Sequence, residues 1–79
     1  MNITLYMRRL LKEGICPDVT NGDGLTALHQ SCIDNNTEMC SLLLSFGANV
    51  NAKDIELWTP LHASAACGHA ELCRLLIDR

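Results

Sequence analysis

The chain has 79 residues, with 6 lysines and arginines against 9 aspartates and glutamates, for a net charge of −3. That length has room for one small domain with a limited core. The acidic balance, without a basic stripe, argues against a nucleic-acid partner. No apolar run is long enough to span a bilayer, and the apolar part of the N-terminus is short and precedes the arginines, so neither membrane insertion nor a secretory signal is expected. A cytoplasmic or nuclear location follows as the default. The five cysteines are an odd number without a C-x-x-C pair. They read as reduced, buried or half-buried thiols and not as a disulfide framework.

In chain order, residues 3–13 read as a helix stopped by Gly14, the residue type that tolerates the left-handed position after a helix. Residues 15–24 follow as a turn-rich hairpin finger, with Pro17 and Asn21-Gly22-Asp23-Gly24 as its turn residues. Thr26 caps a short helix ending near Asp34, and Asn35 suits a left-handed turn. A second helix runs from about Thr37 to Phe46, with Met39, Leu42, Leu43 and Phe46 at core spacing. Gly47 to Asp54 form the next finger. Thr59 and Pro60 open another short helix that ends at Cys67-Gly68, and a last helix begins at His69. Proline suits the first turn because its missing N–H has no helical partner to lose.

The organising feature is a repeat. Thr26-Ala27-Leu28-His29 recurs as Thr59-Pro60-Leu61-His62 after 33 residues, and Ser31/Ser64, Glu38/Glu71, Cys40/Cys73, Leu42/Leu75 and Leu43/Leu76 keep the same register. A 33-residue period carrying T-P-L-H is the signature of ankyrin repeats, a β-turn followed by two antiparallel helices. The expected fold is therefore an all-α ankyrin solenoid: about two repeats plus a leading helix. Residues 1–14 supply the second helix of a partial repeat, 15–47 the first repeat and 48–79 a second, truncated one. Leu28 and Leu61 are expected in the core, with His29 and His62 between repeats. Stacks of this kind need about three repeats and polar caps for stability. A fragment of a longer array, or self-association through uncapped ends, is therefore expected.

No catalytic constellation or cofactor box stands apart from this scaffold, so an enzyme and a cofactor are not expected. His69 and Cys73 share a helix face, but two ligands do not make a metal site. A protein partner is expected on the fingers and the inner-helix face, the concave surface of such stacks. In repeat register, Asp23, Leu25, Ile33 and Asp34 in the first repeat and Ile55, Glu56, Trp58, Ala66 and Cys67 in the second are free of scaffold duty. The surface is acidic with apolar spots and anticipates a basic or mixed partner with salt-sensitive binding. Leu57 departs from the pattern, because its counterpart is Gly24, where positive φ is favoured.

Asp23-Gly24-Leu25-Thr26-Ala27-Leu28-His29-Gln30-Ser31-Cys32-Ile33-Asp34, together with the run from Gly47 through Glu56-Leu57-Trp58-Thr59-Pro60-Leu61-His62-Ala63 and Ala66-Cys67-Gly68-His69, resembles the myosin phosphatase targeting family. The resemblance is nearest to that family's membrane-associated branch. It implies a regulatory subunit of protein phosphatase 1, whose repeats wrap the catalytic subunit and shape its substrate choice, with Asp23, Asp34, Glu56 and Trp58 on the phosphatase-facing groove. The family's basic-Val-x-Phe docking motif and a prenylated cysteine are not in this stretch, so this chain alone is expected to bind weakly or not at all. The likeness to ankyrin proteins also implies that Asn51 occupies the finger position modified by asparaginyl hydroxylases.

Overall fold

The computed structural model describes residues 3–78. Five helices follow one another: α1 (Ile3–Lys12), α2 (Ala27–Ile33), α3 (Thr37–Ser45), α4 (Pro60–Ala66) and α5 (Ala70–Ile77). They form two layers. The short helices α2 and α4 pack side by side as an inner layer, while α1, α3 and α5 form the outer one, with α2 backed by α3 and α4 by α5. The leading helix packs on α3, as an outer helix should. The fingers are turns and not hairpins: among the described residues they carry a single antiparallel bridge, Thr20 to Thr26.

The caps explain where the inner helices begin. Thr26 Oγ1 accepts the His29 N–H (3.2 Å), and the His29 ring reaches back so that Nδ1 accepts the Thr26 N–H (3.2 Å). Thr59 and His62 repeat this reciprocal arrangement at 3.4 and 3.1 Å. Two orphan N–H groups of each first turn are thereby satisfied locally. Asn36 caps α3, its Oδ1 accepting from Met39 N at 3.1 Å. The helix ends also share one device. Gly47 takes φ +83° so that Ala48 N can donate back to Leu43 O (3.0 Å). Asn35, at φ +56°, lets Asn36 N donate to Ser31 O (2.8 Å) in the same way. This is the wrapped helix end that a left-handed residue permits.

The core is one strip between the layers: Leu28 and Cys32 from α2, Met39, Cys40, Leu42, Leu43 and Leu44 from α3, Ala63 from α4, Leu72 and Leu76 from α5, and Leu11 from α1. Phe46 and Met7 are half-buried against it. Two expectations need correction. Leu28 is fully buried, with the next inner helix packed against its own, but Leu61 is 36 % exposed, because among the described residues no later inner helix packs on α4. Among the cysteines, Cys32 and Cys40 are buried and Cys73 half-buried, but Cys16 and Cys67 are exposed, since they sit in a loop and at a helix end. The Cys40 side chain hydrogen-bonded to Cys32, reinforced by burial, pushes the Cys32 thiol's pKa strongly up and keeps it protonated.

Candidate protein-binding groove

Each finger is closed by one side chain in the same register. Asn21 Oδ1 accepts from the backbone N–H groups of Asp23 and Leu25, at 2.9 and 3.0 Å. Asp54 Oδ1 accepts from Glu56 and Trp58, at 2.8 and 3.0 Å. Such Asx-type turns hold the backbone without a strand partner. The fingers are then stitched together. Ile55 N donates to Asp23 O (3.2 Å), and Asn49 N donates to the Asp18 carboxylate (2.7 Å). His29 completes the stack, its Nε2–H donating to the Trp58 carbonyl at 2.8 Å. Because Nδ1 accepts from Thr26 and Nε2 donates to Trp58, the ring is held as the neutral Nε2–H tautomer. His29 is thus the pin between the first inner helix and the second finger.

This stitching places Trp58 over the inner layer. Trp58 is 42 % exposed, and its ring lies 5.9 Å from the His62 ring, tilted by 46°. Beneath it a cleft of about 240 Å³ opens, lined by Leu25, Ile33, Asp54, Glu56, Trp58, Ala63, Ala66 and Cys67. The floor is apolar, and the carboxyl-bearing residues are both on the finger side.

The candidate residues divide. Leu25, Ile33, Glu56 and Trp58 come together in the cleft, with Ala66 and Cys67. Ile55 and Asp23 are exposed on the fingers, and Asp23 lends its carbonyl to finger stacking. Asp34 lies elsewhere: its carboxylate accepts from Gln30 Nε2 (3.1 Å), and it lines a separate groove of about 230 Å³ with Ile3, Met7 and Met39 beside α1. Asn51 is exposed on the second finger, its N–H donating to Asn49 Oδ1 (2.9 Å). His69 and Cys73 are engaged apart from one another, His69 Nε2 with Ile33 O (3.2 Å) and Cys73 Sγ with Ser64 Oγ (3.2 Å). Asp54 and Ala63 complete the cleft and were not singled out from sequence. The register of Asp54 with Asn21 was the signal for its turn role, whereas Ala63 becomes a lining residue only when α4 is set against the finger.

The comparisons with known proteins agree with this architecture. A family model described as ankyrin repeats in three copies matches residues 4–79. Protein phosphatase 1 regulatory subunit 12A from Mus musculus is 49% identical over 72 residues, covering 90% of this chain and 7% of that protein. The RelA-associated inhibitor from Mus musculus is 37% identical over 72 residues, 91% of this chain and 9% of that protein. Protein phosphatase 1 regulatory subunit 27 from Mus musculus is 37% identical over 61 residues, 77% of this chain and 40% of that protein. The chain thus spans less than a tenth of the first two relatives and under half of the third. The period, the paired threonine–histidine caps and the two helical layers agree with the family match: the chain belongs to the ankyrin repeat family and resembles regulators of protein phosphatase 1.

Proposed function

We propose that this chain is a protein-interaction module of a protein phosphatase 1 regulatory subunit, and that it helps to shape the phosphatase's choice of substrate. The observation that carries the reading is the cleft. An exposed tryptophan, the residue type enriched at binding hot spots, is held by a hydrogen-bonded finger over an apolar floor rimmed by carboxyl-bearing residues. The similarity to two protein phosphatase 1 regulatory subunits supports the choice of partner. No helix among the described residues is long and apolar enough to cross a membrane. The proposed place of action is the cytoplasm, with the phosphatase catalytic subunit as partner.

The test is titration calorimetry of the chain into the protein phosphatase 1 catalytic subunit at low salt, with Trp58→Ala in parallel. The expected result is weak, salt-sensitive binding that drops about tenfold or more in the variant, as loss of an interface anchor does. An absence of heat at millimolar chain, with the fold intact by circular dichroism, would overturn the phosphatase assignment. The similarity to the RelA-associated inhibitor favours a second reading, an ankyrin scaffold for a different protein partner. That reading gains if the phosphatase fails to bind.

A further inference from the structure

The first finger contains the one Asn-Gly step of the sequence, Asn21-Gly22, and its turn is built around the Asn21 carboxamide. Asn21 Oδ1 accepts from Asp23 N (2.9 Å) and from Leu25 N (3.0 Å), so two N–H dipoles converge on one carbonyl oxygen and draw electrons from Cγ. The turn is closed by Asn21 N donating to Leu25 O (3.1 Å) and Gly24 N donating to Asn21 O (3.0 Å). Between these anchors the Gly22 N–H has no acceptor among the described residues. Asn21 and Gly22 are both exposed, and a Cβ at Gly22 would meet nothing within 4 Å. A polarised amide carbon, an unbonded amide nitrogen one residue on, and no side chain to separate them are the parts of an intramolecular acyl transfer. Donors held at the carbonyl oxygen are those that stabilise its tetrahedral oxyanion. Neighbouring steps lack this set. Asn49 Oδ1 accepts from Asn51 N in a similar turn (2.9 Å), but the next residue is Val50, whose branched side chain crowds its own nitrogen. In Asp23-Gly24 the glycine N–H is already given to Asn21 O, and a carboxylate is a poor electrophile.

We propose that Asn21 is a site of self-modification, converted by deamidation to aspartate and isoaspartate. Gly22 N gives its proton to hydroxide and bonds to Asn21 Cγ. The Cγ–Nδ2 bond breaks, Nδ2 takes up a proton and leaves as ammonia, and a five-membered succinimide is closed. Water then opens the ring. Cleavage of the new N–Cγ bond leaves aspartate in an ordinary chain. Cleavage between the Asn21 main-chain carbonyl carbon and Gly22 N leaves isoaspartate, with the chain routed through Cγ. One water is consumed and one ammonia released, without oxidant or cofactor. Either product adds one negative charge. The second finger shows how aspartate fits, because Asp54 stands at the register of Asn21 and holds the same turn. Its Oδ1 accepts from Glu56 N (2.8 Å) and Trp58 N (3.0 Å), while Asp54 N donates to Trp58 O (3.0 Å) and Leu57 N to Asp54 O (2.9 Å). Isoaspartate has no such counterpart. Its extra main-chain methylene lengthens the turn and draws Asp23 O away from Ile55 N, the hydrogen bond that stacks one finger on the next (3.2 Å). The reaction thus yields one form that keeps the finger stack and one that loosens it.

The experiment is prolonged incubation of the whole chain at body temperature in mildly alkaline buffer, read by intact mass, peptide mapping and ion exchange. Asn21 is expected to react ahead of every other asparagine, with the mass gain of an amino group replaced by a hydroxyl. The rate should rise with pH, because the attacking nitrogen must first lose its proton. The folded chain should react at least as fast as the chain unfolded in urea, because only the folded turn holds both donors on Oδ1. Gly22→Ala should fold normally, since a Cβ has room there and the glycine is not in the left-handed region, and should slow the reaction several-fold. Asn21→Asp should melt with the wild type, whereas the isoaspartyl fraction collected by ion exchange should melt lower. An unchanged mass, reaction at another asparagine first, an equal rate in Gly22→Ala, or a folded-chain rate well below the unfolded one would each overturn the proposal. An isoaspartyl fraction with the wild-type melting temperature would overturn the effect on the finger stack.

Discussion

The segments Thr26–His29 and Thr59–His62 share their local geometry and differ in their fate. Both threonines cap a helix through the histidine three residues on, with side chains 2.9 Å apart in each case. Yet Leu28 and His29 are wholly buried, and His29 pins a carbonyl of the next finger, whereas Leu61 and His62 face solvent. Local hydrogen bonding needs only neighbours in sequence. Burial needs a neighbour on the side that the residue faces: the next inner helix, α4, packs against α2, whereas among the described residues no later inner helix packs on α4. The same four-residue motif is therefore a core element in one repeat and a surface element in the other.

The largest expected effect that tests this contrast is cavity formation. Leu28→Ala should cost about 2–5 kcal/mol, a large share of the roughly 4–12 kcal/mol expected for a chain of this size. Leu61→Ala should cost less than about 1 kcal/mol, as exposed substitutions do. Urea denaturation of the two variants measures both, and equal losses would break the comparison. The histidines come next. His29→Ala leaves the buried Thr26 N–H and the Trp58 carbonyl without their partner and should cost about 1–3 kcal/mol. His62→Ala removes only an exposed cap partner and should cost a few tenths. It should shift the Trp58 fluorescence, whose ring neighbour it deletes.

The smallest effect concerns the fingers. Asp18 is tied to the neighbouring finger through Asn49 N, whereas Asn51, at the same register one repeat later, is exposed with no side-chain partner seen among the described residues. We propose Asn51 as a substrate for asparaginyl hydroxylation. Treatment with such a hydroxylase, iron and 2-oxoglutarate should add one oxygen atom by intact mass, lost in Asn51→Ala. An unchanged mass ends the idea. The modification should leave stability nearly unchanged, because surface changes away from buried features fall within about 0.5 kcal/mol.

How far the sequence could be read follows from the range of the forces involved. Helix positions were legible because threonine caps, the proline at the first turn and the left-handed stops at Gly14, Asn35, Gly47 and Gly68 act within a few residues. The outer-helix role of α1 was legible through the register of Leu10 and Leu11 with Leu43 and Leu44. Asx turns replaced the expected finger hairpins, because Asn21 and Asp54 satisfy the backbone themselves. Six of the eight residues that line the cleft were legible too, since register singles out Leu25, Ile33, Glu56, Trp58, Ala66 and Cys67 as free of scaffold duty. Asp34 went to the other side of α2 because a one-residue step on a helix turns a side chain by about a third of a circle.

By itself, then, the amino-acid sequence determined the period, the helices, their caps and the order in which they stack. These are encoded by residue types acting on their own backbone. Tertiary structure alone decided which copy of the motif is buried, that His29 grips the Trp58 carbonyl, that Asp54 and Ala63 complete a cleft under Trp58, and that the second finger approaches Gly24 too closely for a Cβ to fit easily. Those outcomes depend on contacts between repeats, such as the one that joins His29 to Trp58 across 29 positions, a distance that no local pattern reports.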